Sequence, residues 1–189
     1  MQDTDPRCAE LEALGYTLIG ESWGARLSVD GDTESFLAAI AKANSIGIDV
    51  REIGVELAEE VLQLEITNNP DYPRTPANMR LLPTIEITRK LWGLNNRIFG
   101  ALSNGVLVGV LATSPRGNLV ELDFASILRE QRGKGIGKAL AAAAIVDWMS
   151  QGVRLFGTGG AAINEASLGT VTSLGFSVEE RWRSYLPPL

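Results

Sequence analysis

Two features of the 189-residue chain are equipped for chemistry. The first is the run Arg129-Glu-Gln-Arg132-Gly133-Lys134-Gly135-Ile136-Gly137-Lys138, with four basic residues and one acidic inside a chain of net charge −6. It stands between a strand pattern and a helix pattern, where unpaired amides and the helix dipole favour an anion. Glycines let the backbone approach a ligand without a Cβ in the way. The local inversion of charge points to a phosphate group. The second feature is the carboxylate pair Glu121 and Asp123, two apart on the strand that feeds this turn and so on one face of it.

Three phosphate-binding glycine patterns separate on spacing. A Walker A loop needs Gly-Lys followed by Ser or Thr, and here Ala139 follows Gly137-Lys138. The dinucleotide fingerprint needs a third glycine three residues after the second, and neither the spacing nor an opening strand-loop-helix unit is present. What remains is Arg-x-x-Gly-x-Gly, carried by Arg132, Gly135 and Gly137.

Composition narrows the chemistry further. The chain has no histidine and one cysteine, Cys8. This removes Ser-His and Cys-His arrangements, a disulfide framework and most zinc or copper sites, so no metal is expected. The acidic balance, with a pI near 4.8, disfavours nucleic-acid and anionic-membrane binding. The longest apolar run, residues 139–146, is far short of the ~20 residues that span a bilayer. With no basic-then-apolar leader at residues 1–10, a cytoplasmic protein is expected.

The elements that must position these groups follow from periodicity and breakers. A short helix is expected over residues 6–14 and an extended run over 16–29. Asp32 is read as the N-cap of a helix with Phe36, Ile40 and Ala43 on one face, ended by Gly47. A strand over 48–53 and a helix over 55–66 lead to a proline-rich loop at 70–76, then a helix over 82–92. Asn104-Gly105 marks a hairpin of strands 97–102 and 106–112. A strand over 119–128 alternates Val120, Leu122 and Phe124 against Glu121, Asp123 and Ala125. After the glycine turn, a helix apolar on nearly every side runs to Ser150. A strand at 153–156, a helix at 164–173 and a strand at 176–185 complete an α/β order.

Residues 118–186 resemble the GNAT superfamily of acyl-CoA-dependent N-acetyltransferases. The turn Arg132-Gly-Lys-Gly-Ile-Gly137 looks like the family's pyrophosphate loop. Thr158-Gly159, Asn164 and Ser173-Leu174-Gly175-Phe176 look like its later landmarks, and the hairpin with the helices before it extends the likeness back to about residue 47. The resemblance implies a mixed α/β (α+β), mostly antiparallel sheet flanked by helices, with residues 47–189 as the acyltransferase domain and 1–46 as an N-terminal extension. It implies acetyl-CoA as co-substrate, held by backbone around Ile127 and Arg129, by Arg132, Gly133, Lys134, Gly135, Ile136, Gly137 and Lys138, and by Asn164. The strand before the turn should splay from the strand after it.

Acetyl transfer to a primary amine of a small molecule or peptide is the activity implied, with Glu121 favoured as base and Asp123 second. The tyrosine with which many members protonate the leaving thiolate is Val171 here, with Tyr185 and Thr172 as conceivable substitutes. That departure keeps open a non-catalytic acyl-CoA sensor, and a nucleotide-binding protein of another class is a third reading. Asp71, Tyr72, Arg74 and Trp182 are candidates for the acceptor pocket, while Trp92 and Trp148 read as core. Ala13-Leu14-Gly15-Tyr16 parallels Ser173-Leu174-Gly175-Phe176, as in the remnant of a tandem unit. Residues 16–27 are then expected to form a strand against 176–186, within the chain or across a homodimer.

Overall fold

One sheet organises the chain, and its strand order decides where every functional residue stands. The computed structural model describes residues 1–72, 75 and 83–188. In chain order the elements are α1 (Arg7–Ala13), β1 (Thr17–Ser28), α2 (Glu34–Ser45), β2 (Ile48–Ile53), α3 (Ala58–Asn68), α4 (Ile85–Arg89), β3 (Arg97–Ser103), β4 (Val106–Arg116), β5 (Leu119–Ile127), α5 (Ile136–Ser150), β6 (Leu155–Ala161), α6 (Glu165–Thr172) and β7 (Ser177–Leu186). The seven strands lie in the order β2-β3-β4-β5-β6-β1-β7. Only β5 and β6 pair in parallel, with α5 as their crossover.

Local chemistry explains most boundaries. Asn104 and Gly105 take the left-handed conformations, φ 49° and 81°, that the β3–β4 hairpin turn requires. At the start of α2 the structure corrects the expected cap: Thr33 is the N-cap, and Asp32 Oδ1 accepts from Glu34 N at 2.9 Å just ahead of it. The helix expected over 82–92 begins at Ile85, where the Thr84 hydroxyl caps Ile87 N, and its last turn is a 3₁₀ turn over Lys90–Trp92. Leu82 and, within the proline-rich segment, Pro73, Arg74 and Pro76 lie outside the described residues. β6 runs on to Ala161, five residues past the expected end.

Two apolar clusters hold the sheet. The larger packs α2, α5 and α6 on one face and includes Trp23, Leu27, Phe99, Leu122, Phe156 and Trp148. α5 (IGKALAAAAIVDWMS) buries nine of its fifteen residues, which is why it carries no polar stripe. The second cluster packs α3 on the other face against Ile98, Val110 and Ala112, and draws no residue from β6, β1 or β7.

The N-terminal strand is internal. β1 pairs antiparallel with β6 over Ser22↔Ala161 to Ser28↔Leu155, and with β7 over Thr17↔Leu186 to Arg26↔Ser177. The expected pairing of residues 16–27 with 176–186 thus occurs within the chain. α1 and α6 also end alike. Gly15 and Gly175 have φ 82° and 94°, and Tyr16 N and Phe176 N return to Leu11 O and Val171 O at 3.0 and 3.2 Å, the Schellman closure in both cases.

Candidate active site

Between β5 and β6 the sheet opens. The strands pair from Leu119↔Leu155 to Leu122↔Thr158 and no further, while β5 stays paired with β4 through Ile127. Residues 123–127 therefore show a backbone edge without a strand partner on the β6 side. The opening leads into a cleft of about 770 Å³, lined by β5 from Leu122 to Ile127, the glycine turn, the start of α5 and α6.

The turn supplies donors from its backbone. Gly133 and Gly135 have φ 76° and 81°, and an added Cβ at either would meet nothing within 4 Å. Conformation, and not space, selects glycine there. Gly135 is the N-cap of α5 without a side-chain cap, and the first helical bond runs from Ala139 N to Gly135 O. The amides of Ile136, Gly137 and Lys138 ahead of it have no intrahelical acceptor, the condition in which a helix start binds an anion.

The cations of the turn are directed at the protein. Arg132 gives Nε to Ile127 O at 2.9 Å, Nη2 to Asn68 Oδ1 at 3.2 Å and Nη1 to Asp71 Oδ2 at 2.8 Å. Arg129 forks onto the same carboxylate, with Nε to Asp71 Oδ2 at 3.2 Å and Nη2 on Oδ1. These two guanidiniums hold the Asp71 carboxyl below the usual range, Arg129 foremost. Lys134 Nζ donates to Gln131 Oε1 at 2.9 Å and Lys138 Nζ to Ser173 O at 3.0 Å. Asn68, 2% exposed, also donates Nδ2 to Ser126 Oγ at 2.8 Å. Asn164 lines the cleft and N-caps α6, with Oδ1 accepting from Ser167 N at 3.2 Å.

A bulge separates the two carboxylates from the rest of β5. β4 pairs Thr113 with Leu122 and Ala112 with Phe124, which leaves Asp123 without a partner. Val120 and Leu122 join the α5 side, while Phe124 packs on the α3 side. The expected alternation therefore breaks at Asp123, and Phe124 changes faces. Asp123 lines the cleft. Burial raises its carboxyl, opposed by the nearby Ser114 hydroxyl and by Arg116. Glu121 lies opposite Gly157, one pair short of the opening. Burial raises it too, against the pull of Arg26, whose Nη1 stands 3.4 Å from Glu121 Oε1.

Val171 lines the cleft and brings no proton donor to it. Tyr185 donates its hydroxyl to Glu12 Oε1 at 2.7 Å, and burial with that bond pushes its pKa up to about 12. Thr172 Oγ1 is turned back onto Leu168 O at 2.9 Å. Among the acceptor candidates, Asp71 and Tyr72 line the cleft, Tyr72 OH donating to Glu65 Oε1 at 3.1 Å. Trp182 is on β7, 41% exposed, with Nε1 on Glu180 Oε2 at 3.0 Å. Arg74 lies outside the described residues. Trp148 is buried, with Nε1 on Thr113 Oγ1, and Trp92 donates Nε1 to Ile53 O.

Three residues of this region carried no sequence signal of a role: Arg26, Asn68 and Gly157. Each acquires its place through sheet order or a long-range contact, which spacing along the chain does not encode.

The model of the acetyltransferase (GNAT) family matches residues 58–176. A comparison with curated proteins finds no match. Among solved structures, a GCN5-related N-acetyltransferase from Sphaerobacter thermophilus superposes with a TM-score of 0.70 at 18% identity, over 100% of this chain and 59% of its own. A tandem GNAT protein from the clavulanic acid biosynthesis pathway gives 0.60 at 21% identity, over 97% of this chain and 58% of its own. PaiA N-acetyltransferase from Thermoplasma acidophilum, solved in complex with coenzyme A, gives 0.57 at 19% identity, over 72% of this chain and 99% of its own. At these identities the likeness is one of fold, and the chain spans about three fifths of the first of these structures. A family match over more than half of the sequence, on a sheet that opens beside a glycine turn, places the chain in the GNAT acetyltransferase family.

Proposed function

We propose that the chain is an N-acetyltransferase that moves an acetyl group from acetyl-CoA to a primary amine. The observation that carries this reading is the pairing of a free β5 edge with the uncapped α5 start at the two ends of one cleft. The amides of Gly133 to Lys138 suit a pyrophosphate. The edge of residues 123–127 suits an amide-bearing arm that adds to the sheet as a strand does. Asn164 lies on the α6 side of the same cleft. Arg132 serves by holding the turn, since its nitrogens are committed to Ile127, Asn68 and Asp71.

A thioester arm lying along residues 127 to 123 ends where β5 and β6 close at Leu122↔Thr158. Glu121 and Gly157 are the next pair, one step behind the cleft lining, and Glu121 is the carboxylate we assign as base. An alkylamine has a pKa near 10.4 and must lose a proton to attack. Glu121 accepts that proton, directly or through water, as the amine nitrogen bonds to the carbonyl carbon. The C–S bond then breaks as the nitrogen gives its second proton to solvent; the thiolate, of pKa near 8.5, takes a proton from solvent because Val171 offers none, and Glu121 returns its proton to solvent. The products are the amide and CoA.

Val171 also favours a second reading, a non-catalytic acyl-CoA sensor. Release of CoA thiol from acetyl-CoA in the presence of primary amines separates the two: a sensor binds acetyl-CoA and releases none above the solvent rate. We also read residues 1–46 as an extension whose α1–β1 unit is a second copy of α6–β7, on the strength of the shared helix closure.

A further inference from the structure

The family model begins at residue 58, yet one side chain from outside it reaches Glu121, one strand pair behind the closed end of the cleft. β1 lies beside β6, and its Arg26 is opposite Gly157. Gly157 is opposite Glu121 on its other side. Three neighbouring strands thus place an arginine, a glycine and a glutamate in one row. A Cβ at Gly157 would stand 2.6 Å from both Glu121 carboxylate oxygens and 2.7 Å from Arg26 Nη1. The two side chains meet over the space that the missing Cβ leaves, in an ion pair 31% and 25% exposed. Arg26 Nη1 is braced by Ala25 O at 3.2 Å.

We propose that Arg26 is a positioning residue of the catalytic site, holding the Glu121 carboxylate over Gly157, one strand pair behind the closed end of the cleft. The inference rests on the assignment of Glu121 as base. It makes the N-terminal strand part of the catalytic apparatus as well as of the sheet.

The charged groups that bear on Glu121 come from four strands: Arg26 on β1, Arg116 on β4, Asp123 on β5 and Glu180 on β7. β6 contributes only the glycine. Glu180 is itself engaged by Trp182 Nε1, and the Asp123 carboxyl, raised by burial, is lowered in turn by Ser114 and Arg116. Arg26 is the cation in ion-pair contact.

The test measures the ionisation of Glu121 directly, by carbon-13 NMR of glutamate-labelled protein with the resonance assigned from Glu121→Gln. Alongside it runs the pH profile of kcat/KM with whichever of a diamine, an amino sugar or a lysine peptide turns over fastest. Arg26→Gln should move the Glu121 titration and the acid limb of the profile upward by about one unit. Arg26→Lys, which keeps the charge, should restore most of that shift. Gly157→Ala should do the same as Arg26→Gln while the protein stays folded, because its Cβ meets only the ends of two flexible side chains. Melting curves check folding in each variant. Unchanged Glu121 titration in both Arg26→Gln and Gly157→Ala overturns the proposal, even if Glu121→Gln has abolished turnover. Full turnover in Glu121→Gln overturns instead the assignment of the base, whatever the titration shows.

Discussion

Arg132 and Asp71 tie the glycine turn to the 3₁₀ turn that follows α3, with Arg132 Nη1 2.8 Å from Asp71 Oδ2 across 61 residues of sequence. Asn68 and the Ile127 carbonyl take the other two nitrogens. We propose that this cation, which the sequence marks as a phosphate ligand, acts as a strut that shapes the amides around it.

This arrangement separates charge from geometry. Arg132→Lys retains the charge but cannot make three bonds in a fixed fork. Calorimetric titration with CoA should show Arg132→Lys and Arg132→Ala both weakened by about tenfold, equivalent to about 1.4 kcal/mol. Near wild-type affinity in the lysine variant would mean that the residue acts as a point charge on the ligand.

Gly135 should be needed for its backbone angle alone. A side chain held at φ 81° costs roughly 1–2 kcal/mol, and nothing crowds the site. Gly135→Ala should lose stability by that amount in urea melts and bind CoA more weakly. A D-alanine placed there by chemical synthesis should restore both, since its Cβ suits positive φ. A D-alanine variant as impaired as the L-alanine one refutes the conformational account.

For Glu121, burial raises the carboxyl pKa. A base works only when ionised, so activity should rise with pH through a limb set above the ordinary glutamate value of about 4.3. Glu121→Gln should lower kcat by roughly 10²–10⁴ with CoA affinity retained. Asp123→Asn, which alters the bulge but leaves Glu121 in place, should cost less. The reverse ranking would transfer the base role to Asp123.

Much of this fold was legible because local chemistry and tertiary structure agree. Asn104-Gly105 demanded a tight turn and formed one, and the apolar run of α5 demanded burial on most sides. The misses have a common cause in contacts between distant strands. The strand expected over 153–156 stops short of Gly157, Gly159 and Gly160, yet these are strand residues: Trp23 lies across Gly160, and the Arg26–Glu121 pair crosses Gly157. The bulge at Asp123 reverses the faces of β5 without changing the alternation of residue types. The charge inversion in the turn was real, but it did not show that Arg129 and Arg132 would be directed at Asp71.

The place of β1 can be tested by deletion. Trp23, Ala25 and Leu27 are buried on its inner face, and burying a large apolar side chain contributes about 1.5–3 kcal/mol. Removing residues 1–30 also strips β7 of its ladder and β6 of one of its two. The truncated chain should lose cooperative thermal unfolding. A truncated protein that melts cooperatively near the full-length temperature would show β1 to be dispensable.

The most direct measurement is a thermal-shift comparison of acetyl-CoA, CoA, ATP and NAD. A ligand at 100 times its dissociation constant adds about 2.7 kcal/mol. A protein of this size should then melt roughly 5–11 °C higher with acetyl-CoA and CoA, and show no comparable rise with ATP or NAD. No shift with acetyl-CoA or CoA, or a larger one with ATP or NAD, would contradict the assignment of the cleft to an acyl-CoA.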